Sequence, residues 1–425
     1  MNTLKNIIVN LCRLLLAVTF ILSGFVKAID PLGTHYKLQD YLSALSLGGL
    51  LPDWLSIGIA VALSTVEFCL GIFLLFAIHR RTVTKLTLLF MVVMTAITVW
   101  VAVADPVKDC GCFGDALILS NTQTLLKNIV LLTAAIVVSI WPLRMMRFIS
   151  KTNQWIVINY TIIFIVFISI LCLYDLPLFD FRPYHIGADI RQGMEIPEGE
   201  QPPQFETTFI LEKDGVRKEF ALEDYPDSTW TFIDSKTVQT HEGYVPPIHD
   251  FVIETVEDGE DITDEVLSEP GYTFLLISPS LEQANDSDFG TIDQLYEYSQ
   301  DNGYRFYCLT ASGEEGIRRW SELTGAEYPF CHTDPITLKT IIRSNPGLLL
   351  LKNGVVIRKW SHNNLPVIEP SVMSMPLEKL DIGHLPEESA PRKVAMILAW
   401  FVLPLLLLTF ADRIWAWRNR LKIEN

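Results

Sequence analysis

Six long apolar stretches govern what this chain can become. They cover residues 7–28, 54–78, 83–104, 124–143, 155–174 and 394–411. Each is close to the roughly 20 residues that an α-helix needs to cross the hydrocarbon core of a bilayer. In that solvent every backbone polar group must find its partner inside the protein, and a helix does so within one segment. Half of the 425 residues are hydrophobic, which places the chain in the membrane class. The first stretch lacks an Ala-x-Ala cleavage signal and reads as a retained helix.

Charge orients these segments. His79, Arg80, Arg81 and Lys85 make one short loop basic, Arg144 to Lys151 a second, and Arg413, Arg418, Arg420 and Lys422 the tail. By the positive-inside rule all three face the cytoplasm when both termini do. The expectation is a multi-pass inner-membrane protein with the acidic segment 175–389 in the periplasm. The net charge of −16 resides mainly in that segment and argues against nucleic-acid partners. The lipid bilayer is one expected partner, and a periplasmic client protein the other.

The same topology puts Asp109-Cys110-Gly111-Cys112-Phe113-Gly114-Asp115 at the outer surface, where the compartment is oxidising. Gly111 and Gly114 let the backbone turn sharply. The spacing admits a tight, strained Cys110–Cys112 bridge, and strained, exposed disulfides are the redox-active kind. Cys110 and Cys112 are therefore candidate redox residues, with a plain structural thiol pair as the alternative.

Ionisable groups inside a bilayer are costly, so Arg13 and Glu67 are the next candidates. Counted from the inner ends of their helices, they are expected to pair. Such a pair either orients two helices or serves a quinone or a proton. Lys27 reads as an interfacial anchor. Cys12, Cys69 and Cys172 read as packing residues, with Cys172 as a third thiol in the alternative. The histidines are scattered without ligand spacing, so no metal site is expected.

After residue 176 the pattern changes. A proline-rich connector leads to apolar runs 207–211 and 217–221 around Asp214-Gly215, a hairpin signature, with 230–234 as a third strand. From residue 243 strands and helices alternate: strands at 251–254, 272–278 and 305–309, helices at 262–267, 291–301 and 314–323. Runs 348–351 and 355–359 flank Asn353-Gly354, a second hairpin turn. Cys308 falls on a central strand and Cys331 in a loop or edge strand. Core packing is the expectation for Cys308, and a Cys308–Cys331 bridge the weaker alternative.

Two resemblances sharpen this reading. Arg13, Gly24 and Lys27 in the first helix, Glu67 and Gly71 in the second, and Cys110-Gly111-Cys112-Phe113-Gly114 resemble the DoxX/MauE family of four-helix membrane proteins, the MauE branch most closely. That resemblance covers residues 1–150. It implies thiol–disulfide work on a secreted partner, as in methylamine utilisation, or quinone-linked redox chemistry. Residues 243–360 resemble a thioredoxin-like domain of the TlpA/peroxiredoxin type, on Gly243 to Phe251 and on Asn345-Pro346-Gly347, which stands at the cis-proline position. Where that family carries Cys-x-x-Cys, this chain reads Pro279-Ser280-Leu281-Glu282-Gln283, so the domain lacks the thiolate it would need for disulfide exchange.

The expected architecture is a membrane α-helical bundle plus an α/β thioredoxin-like domain with a β-hairpin extension. Its parts are a four-helix bundle at 1–150, a fifth helix at 151–176, a connector and β-rich extension at 177–242, the degenerate domain at 243–390, and a sixth helix with a basic tail at 391–425. Two functions remain open at this point. One is a membrane thiol–disulfide redox protein using Cys110 and Cys112, with a quinone as electron acceptor. The other is a non-catalytic scaffold whose outer domain binds a partner.

Overall fold

A computed structural model describes residues 2–107, 110–213, 216–221, 226, 229–241, 243–387 and 390–424. Its first part is a helical bundle: α1 (Asn2–Ile29), α2 (Pro31–Ala44), α3 (Asp53–Phe76), α4 (Arg80–Ala104), α5 (Asn121–Ile140) and α6 (Gln154–Tyr174). All but α2, together with the last helix, are long and apolar enough to cross a membrane. Their outward faces leave Leu15, Leu22, Leu89, Ile129 and Ile163 exposed, as lipid-facing positions should be. This is a multi-pass membrane protein.

The bundle is set by the contact of α1 with α3. A Cβ on Gly24 would lie 2.5 Å from the Phe68 amide nitrogen, and one on Gly71 would lie 2.8 Å from the Ile21 amide nitrogen. Small residues that let backbones approach this closely are the usual device for packing helices in lipid. At the opposite end from the Cys110 loop the basic residues gather. Arg80 donates to the Leu143 and Met145 carbonyls, Arg144 to Asn6, and Arg413 to the Arg147 carbonyl. The three basic segments therefore share one end of the bundle.

Helix α2 was not expected, because it lacks a long apolar run. Its start is nonetheless written in the sequence. Asp30 accepts from the Gly33 amide at 2.9 Å and Pro31 occupies the first turn.

The short helix α7 (Ile190–Met194) leads to β1 (Gln204–Lys213), β2 (Val216–Ala221) and β3 (Thr231–His241), an antiparallel sheet in the order β2-β1-β3. The expected turn at Asp214-Gly215 lies outside the described residues.

The second sheet follows: β4 (Glu254–Thr255), α8 (Thr263–Ser268), β5 (Tyr272–Ser278), α9 (Phe289–Asp301), β6 (Arg305–Thr310), α10 (Glu314–Thr324), β7 (Phe330–His332), α11 (Pro335–Ile341), β8 (Gly347–Lys352) and β9 (Val355–Ser361). The order is β4-β7-β6-β5-β8-β9, with β5, β6 and β7 parallel and β8 and β9 antiparallel. Every residue of β5 is buried, since both faces of the sheet are covered. One face packs Leu275, Ile277 and Leu309, and the other packs Phe274, Leu276 and Phe306. The last helix, α12 (Ala390–Glu424), returns along the bundle, where Phe401 and Leu405 pack with Phe68 and Phe164.

Two expectations fail here. Strand β4 covers only two residues, yet it pairs with β7, so Cys331 is not on an edge. The Cys308–Cys331 bridge is also excluded. Cys308 belongs to the Phe306 face and Cys331 to the Leu309 face, so their side chains point to opposite sides of the sheet. Both thiols are free, and burial pushes both up in pKa.

Candidate functional site: the Cys-Gly-Cys loop

The loop joining α4 to α5 folds back onto the bundle. Asp109 lies outside the described residues. Gly111 has φ +63° and Gly114 φ +51°, the left-handed region that a side chain resists. The Gly114 amide closes the turn on the Gly111 carbonyl at 3.1 Å. This bend brings the two sulfurs together: Cys110 Sγ and Cys112 Sγ are 3.0 Å apart, and both thiols are free. A disulfide bond is about 2.05 Å long, so closing one here requires about 1 Å of movement.

Two helices hold the loop by its carbonyls, and a third braces one of the side chains that do so. The Tyr41 hydroxyl of α2 donates to the Cys110 carbonyl at 3.0 Å. From α1, the Ser23 hydroxyl and the Lys27 ammonium donate to the Cys112 carbonyl at 2.5 and 2.7 Å. The same ammonium donates to Ser23 Oγ at 2.7 Å and to Glu67 Oε2 of α3 at 2.8 Å. On the other flank the Lys127 ammonium sits 4.5 Å above the Phe113 ring.

The electrostatics separate the two thiols. A hydrogen bond from Cys110 favours the Cys112 thiolate, Lys127 and Lys27 add to it, and together they outweigh burial and Glu67, lowering Cys112 to about 6. Cys110 moves the other way, raised by that same hydrogen bond, by burial and by the Cys112 charge. Cys110 is buried and Cys112 is partly open. The surroundings thus favour the thiolate at Cys112 over that at Cys110.

The expected pairing of Arg13 with Glu67 does not form. Glu67 is paired with Lys27, while Arg13 donates to the Met146 carbonyl at 2.6 Å and stacks on Phe148. Arg13 lies 14 residues before Lys27 in the same helix, about 21 Å away along its axis. The Gly24 and Gly71 contacts set the register of α1 on α3, and that register places Glu67 opposite the end of α1 that carries Lys27. Lys27 is accordingly a buried ion-pair partner and not an interfacial anchor. Cys172 packs in α6 with Ile165 and Ile168, and Cys12 and Cys69 also lie among helix contacts.

The soluble domain sits over this loop. Arg343, between α11 and β8, reaches Asp30 at 3.0 Å and Asp115 at 3.4 Å, and its guanidinium lies 5.3 Å from the Tyr36 ring centre. Lys339 lies over the other part of that ring at 5.0 Å. A cleft of about 780 Å³ separates the two parts, lined by Gly111, Asp115 and Tyr36 on the bundle and by Ser280, Lys339 and Asn345 on the domain. Thus the corner after β5 faces the dithiol loop. That corner is closed by hydrogen bonds: Ser312 Oγ receives from the Leu281 amide and donates to Glu282, and Asn345 binds both Ser278 Oγ and the Ser280 carbonyl. The Asn345–Pro346 peptide is cis.

Residues 5–141 match the family of methylamine utilisation protein MauE. The MauE-like segment thus contains the dithiol loop and the three side chains that anchor its carbonyls, Ser23 and Lys27 on α1 and Tyr41 on α2. Residues 205–242, the three-stranded sheet, match a domain family of unknown function, DUF8463. No curated protein matches the chain. Among solved structures, a protein from Bacteroides thetaiotaomicron proposed to be a protein disulfide isomerase is 16% identical, over 27% of this chain and 76% of that one, with a TM-score of 0.21. An uncharacterized conserved protein from Geobacillus kaustophilus is 14% identical, over 33% of this chain and 83% of that one, with a TM-score of 0.25. At these scores neither likeness carries an argument.

Sequence reasoning missed Ser23, Tyr41, Lys127, Asp30 and Arg343 as neighbours of the loop. One signal was available: Ser23 and Lys27 are four apart on α1, which puts both on one face. The others depend on tertiary approach.

Proposed function

We propose that the chain is a membrane thiol–disulfide redox protein whose working pair is Cys110 and Cys112. The observation that carries this reading is the approach of the two sulfurs to 3.0 Å on a glycine-hinged loop beside a lysine pair. The MauE-like segment at residues 5–141 supports it. In this reading the loop faces the periplasm and both termini the cytoplasm, as the shared basic end of the bundle suggests.

The exchange proceeds in two steps. A client thiolate attacks Cys112 Sγ of the oxidised loop, the Cys110–Cys112 bond breaks, and Cys110 leaves and takes up a proton. The second client thiolate then attacks the client sulfur of the mixed disulfide, and Cys112 leaves as a thiolate. A low-pKa thiol leaves readily, and stabilising the reduced form makes the pair a better oxidant. The client is now a disulfide and the loop a dithiol. A quinone-class acceptor takes two electrons from the pair, together with the Cys110 proton and one proton from solvent that the client thiols released, and the loop disulfide is restored. Arg13 has no part in this, because its guanidinium is committed at the far end of α1.

The soluble domain is, in this reading, a degenerate thioredoxin fold that covers the loop and presents the client. The corner that directly follows β5, Pro279 to Gln283, holds no cysteine and so takes no electrons. The test is the purified full chain with a reduced, unfolded client and a soluble quinone. The account predicts client disulfide and quinol in equal amounts, abolished by Cys110→Ser or Cys112→Ser. Client oxidation no faster than that of Cys112→Ser overturns it and leaves the scaffold.

A further inference from the structure

Lys27 is a cation bonded to the dithiol loop's own backbone. All three of its protons are used: on Ser23 Oγ, on Glu67 Oε2 and on the Cys112 carbonyl. The Cys112 carbonyl accepts from both Ser23 and Lys27, so both of its lone pairs are engaged. Lys27 and Glu67 are 6% and 8% exposed, and such a pair is retained only where geometry and hydrogen bonds compensate its desolvation.

Residue 112 is also where the loop must move if its sulfur is to join or leave Cys110. The peptide that follows Cys112 is fixed by the lysine, and the peptide that follows Cys110 is fixed by Tyr41. Between them stands only Gly111. Anchoring both carbonyls leaves the two Cβ atoms little freedom except to keep their sulfurs on the same side. Holding two reacting groups in such a geometry raises their effective concentration by orders of magnitude.

We propose that Lys27, set by Glu67, is a positioning residue for the dithiol: it pins the Cys112 carbonyl so that Cys112 Sγ stays within bonding reach of Cys110 Sγ. This rests on the redox reading above, but it concerns the loop's chemistry toward any thiol reagent. Glutathione disulfide is the simplest one. The Cys112 thiolate attacks it, releasing one glutathione thiolate and forming a mixed disulfide. Cys110 then loses its proton and attacks Cys112 Sγ, which expels the second glutathione. The pinned loop favours this second step, and a loose loop stalls at the mixed disulfide.

The experiment equilibrates the full-length protein in detergent with glutathione and its disulfide at neutral pH. Mass spectrometry then counts loop disulfide against glutathionylated Cys112. The wild type should carry loop disulfide almost alone. Lys27→Gln is one bond too short to reach both partners, and should shift the ratio toward the mixed disulfide at least tenfold. Lys27→Arg, which keeps charge and reach, should recover part of it. Because Lys27→Gln leaves a buried carboxylate unpaired, Lys27→Gln/Glu67→Gln is measured beside it as a variant with no buried charge. Both should show the shift at temperatures where they remain folded.

An unchanged ratio in the folded double variant overturns the positioning role. A wild type that forms no loop disulfide at any glutathione ratio overturns the redox reading itself. A merely structural role would lower the melting temperature of the variants without moving the ratio.

Discussion

The guanidinium of Arg343 lies 3.0 Å from the carboxylate of Asp30, joining the soluble domain to the turn between α1 and α2. These residues are 313 positions apart, and the contact is almost closed to solvent on the arginine side, at 8% exposure. It draws in Asp115, three residues beyond Cys112, so the same arginine ties the domain to the dithiol loop. The arrangement makes the soluble domain a cover held in part by this cation.

Arg343→Ala should therefore loosen the cover. Removing one partner from a buried pair costs about 3–5 kcal/mol, because the other charge is left without compensation. The expected outcome is faster alkylation of Cys112 by a bulky maleimide and faster proteolysis of the connector near residues 197–203, with the bundle still folded. Rates equal to the wild type would show that Arg343 does not hold the domain in place.

Thiol titration provides a second prediction. The hydrogen bond with Cys110, together with Lys127 and Lys27, lowers Cys112 below the ordinary thiol value. Its alkylation rate should rise and level off at a lower pH than that of an ordinary cysteine, while Cys110 reacts more slowly. The first cause of the shift is the hydrogen bond from Cys110, so Cys110→Ala should move the midpoint upward toward the ordinary cysteine value of about 8.5. A midpoint that stays in place in that variant would assign the effect to Lys127 and Lys27 alone.

The acid behaviour of the soluble domain follows from Asp180. Burial pushes this carboxyl up, but Lys359 and Arg182, at 2.7 Å each, outweigh it and hold the group at about 2. Burial lowers the Lys359 ammonium to about 8, which leaves it charged at neutral pH. A carboxylate whose folded pKa lies below its unfolded value of about 3.9 stabilises the fold above that value. The contribution is lost as pH falls from about 4 toward 2. Asp180→Asn should flatten the loss of unfolding temperature between pH 5 and pH 3. An unchanged slope would contradict the assignment.

Helix packing gives a fourth. Gly71→Leu places side-chain atoms where the Ile21 amide nitrogen and the Ala17 carbonyl stand 2.8 and 3.0 Å from the Cβ position. Backbone cannot yield as a side-chain tip can. Overpacking of this kind costs about 1–3 kcal/mol. The variant should melt lower in detergent, and one that melts like the wild type would show that α1 and α3 are not in this register.

The membrane helices were legible because each is a long apolar run, a signal that survives without any tertiary knowledge. So were β5, β8 and β9 and the turn at Asn353. Helix α2 was not, since its polar sequence carries no apolar run and only the Asp30-Pro31 start marks it. The loop cysteines stood out by spacing. Their anchors did not, because the choice between Arg13 and Lys27 as partner for Glu67 depends on how α1 slides along α3. Counting residues from helix ends assumed that the two ends are level. The close approaches at Gly24 and Gly71 set a different register. Arg343 lies further still from legibility, since its partners belong to another domain.

The central claim is that Cys110 and Cys112 exchange between dithiol and disulfide in the membrane. The direct measurement is an alkylation mass shift on native membranes from cells expressing the chain, quenched in acid, before and after a reductant. The account predicts that a fraction of the protein gains two alkyl groups only after reduction, that both map to Cys110 and Cys112, and that this fraction falls when quinol reoxidation is blocked, which leaves the quinone pool reduced. A loop that is fully alkylated before reduction under every growth condition would contradict it.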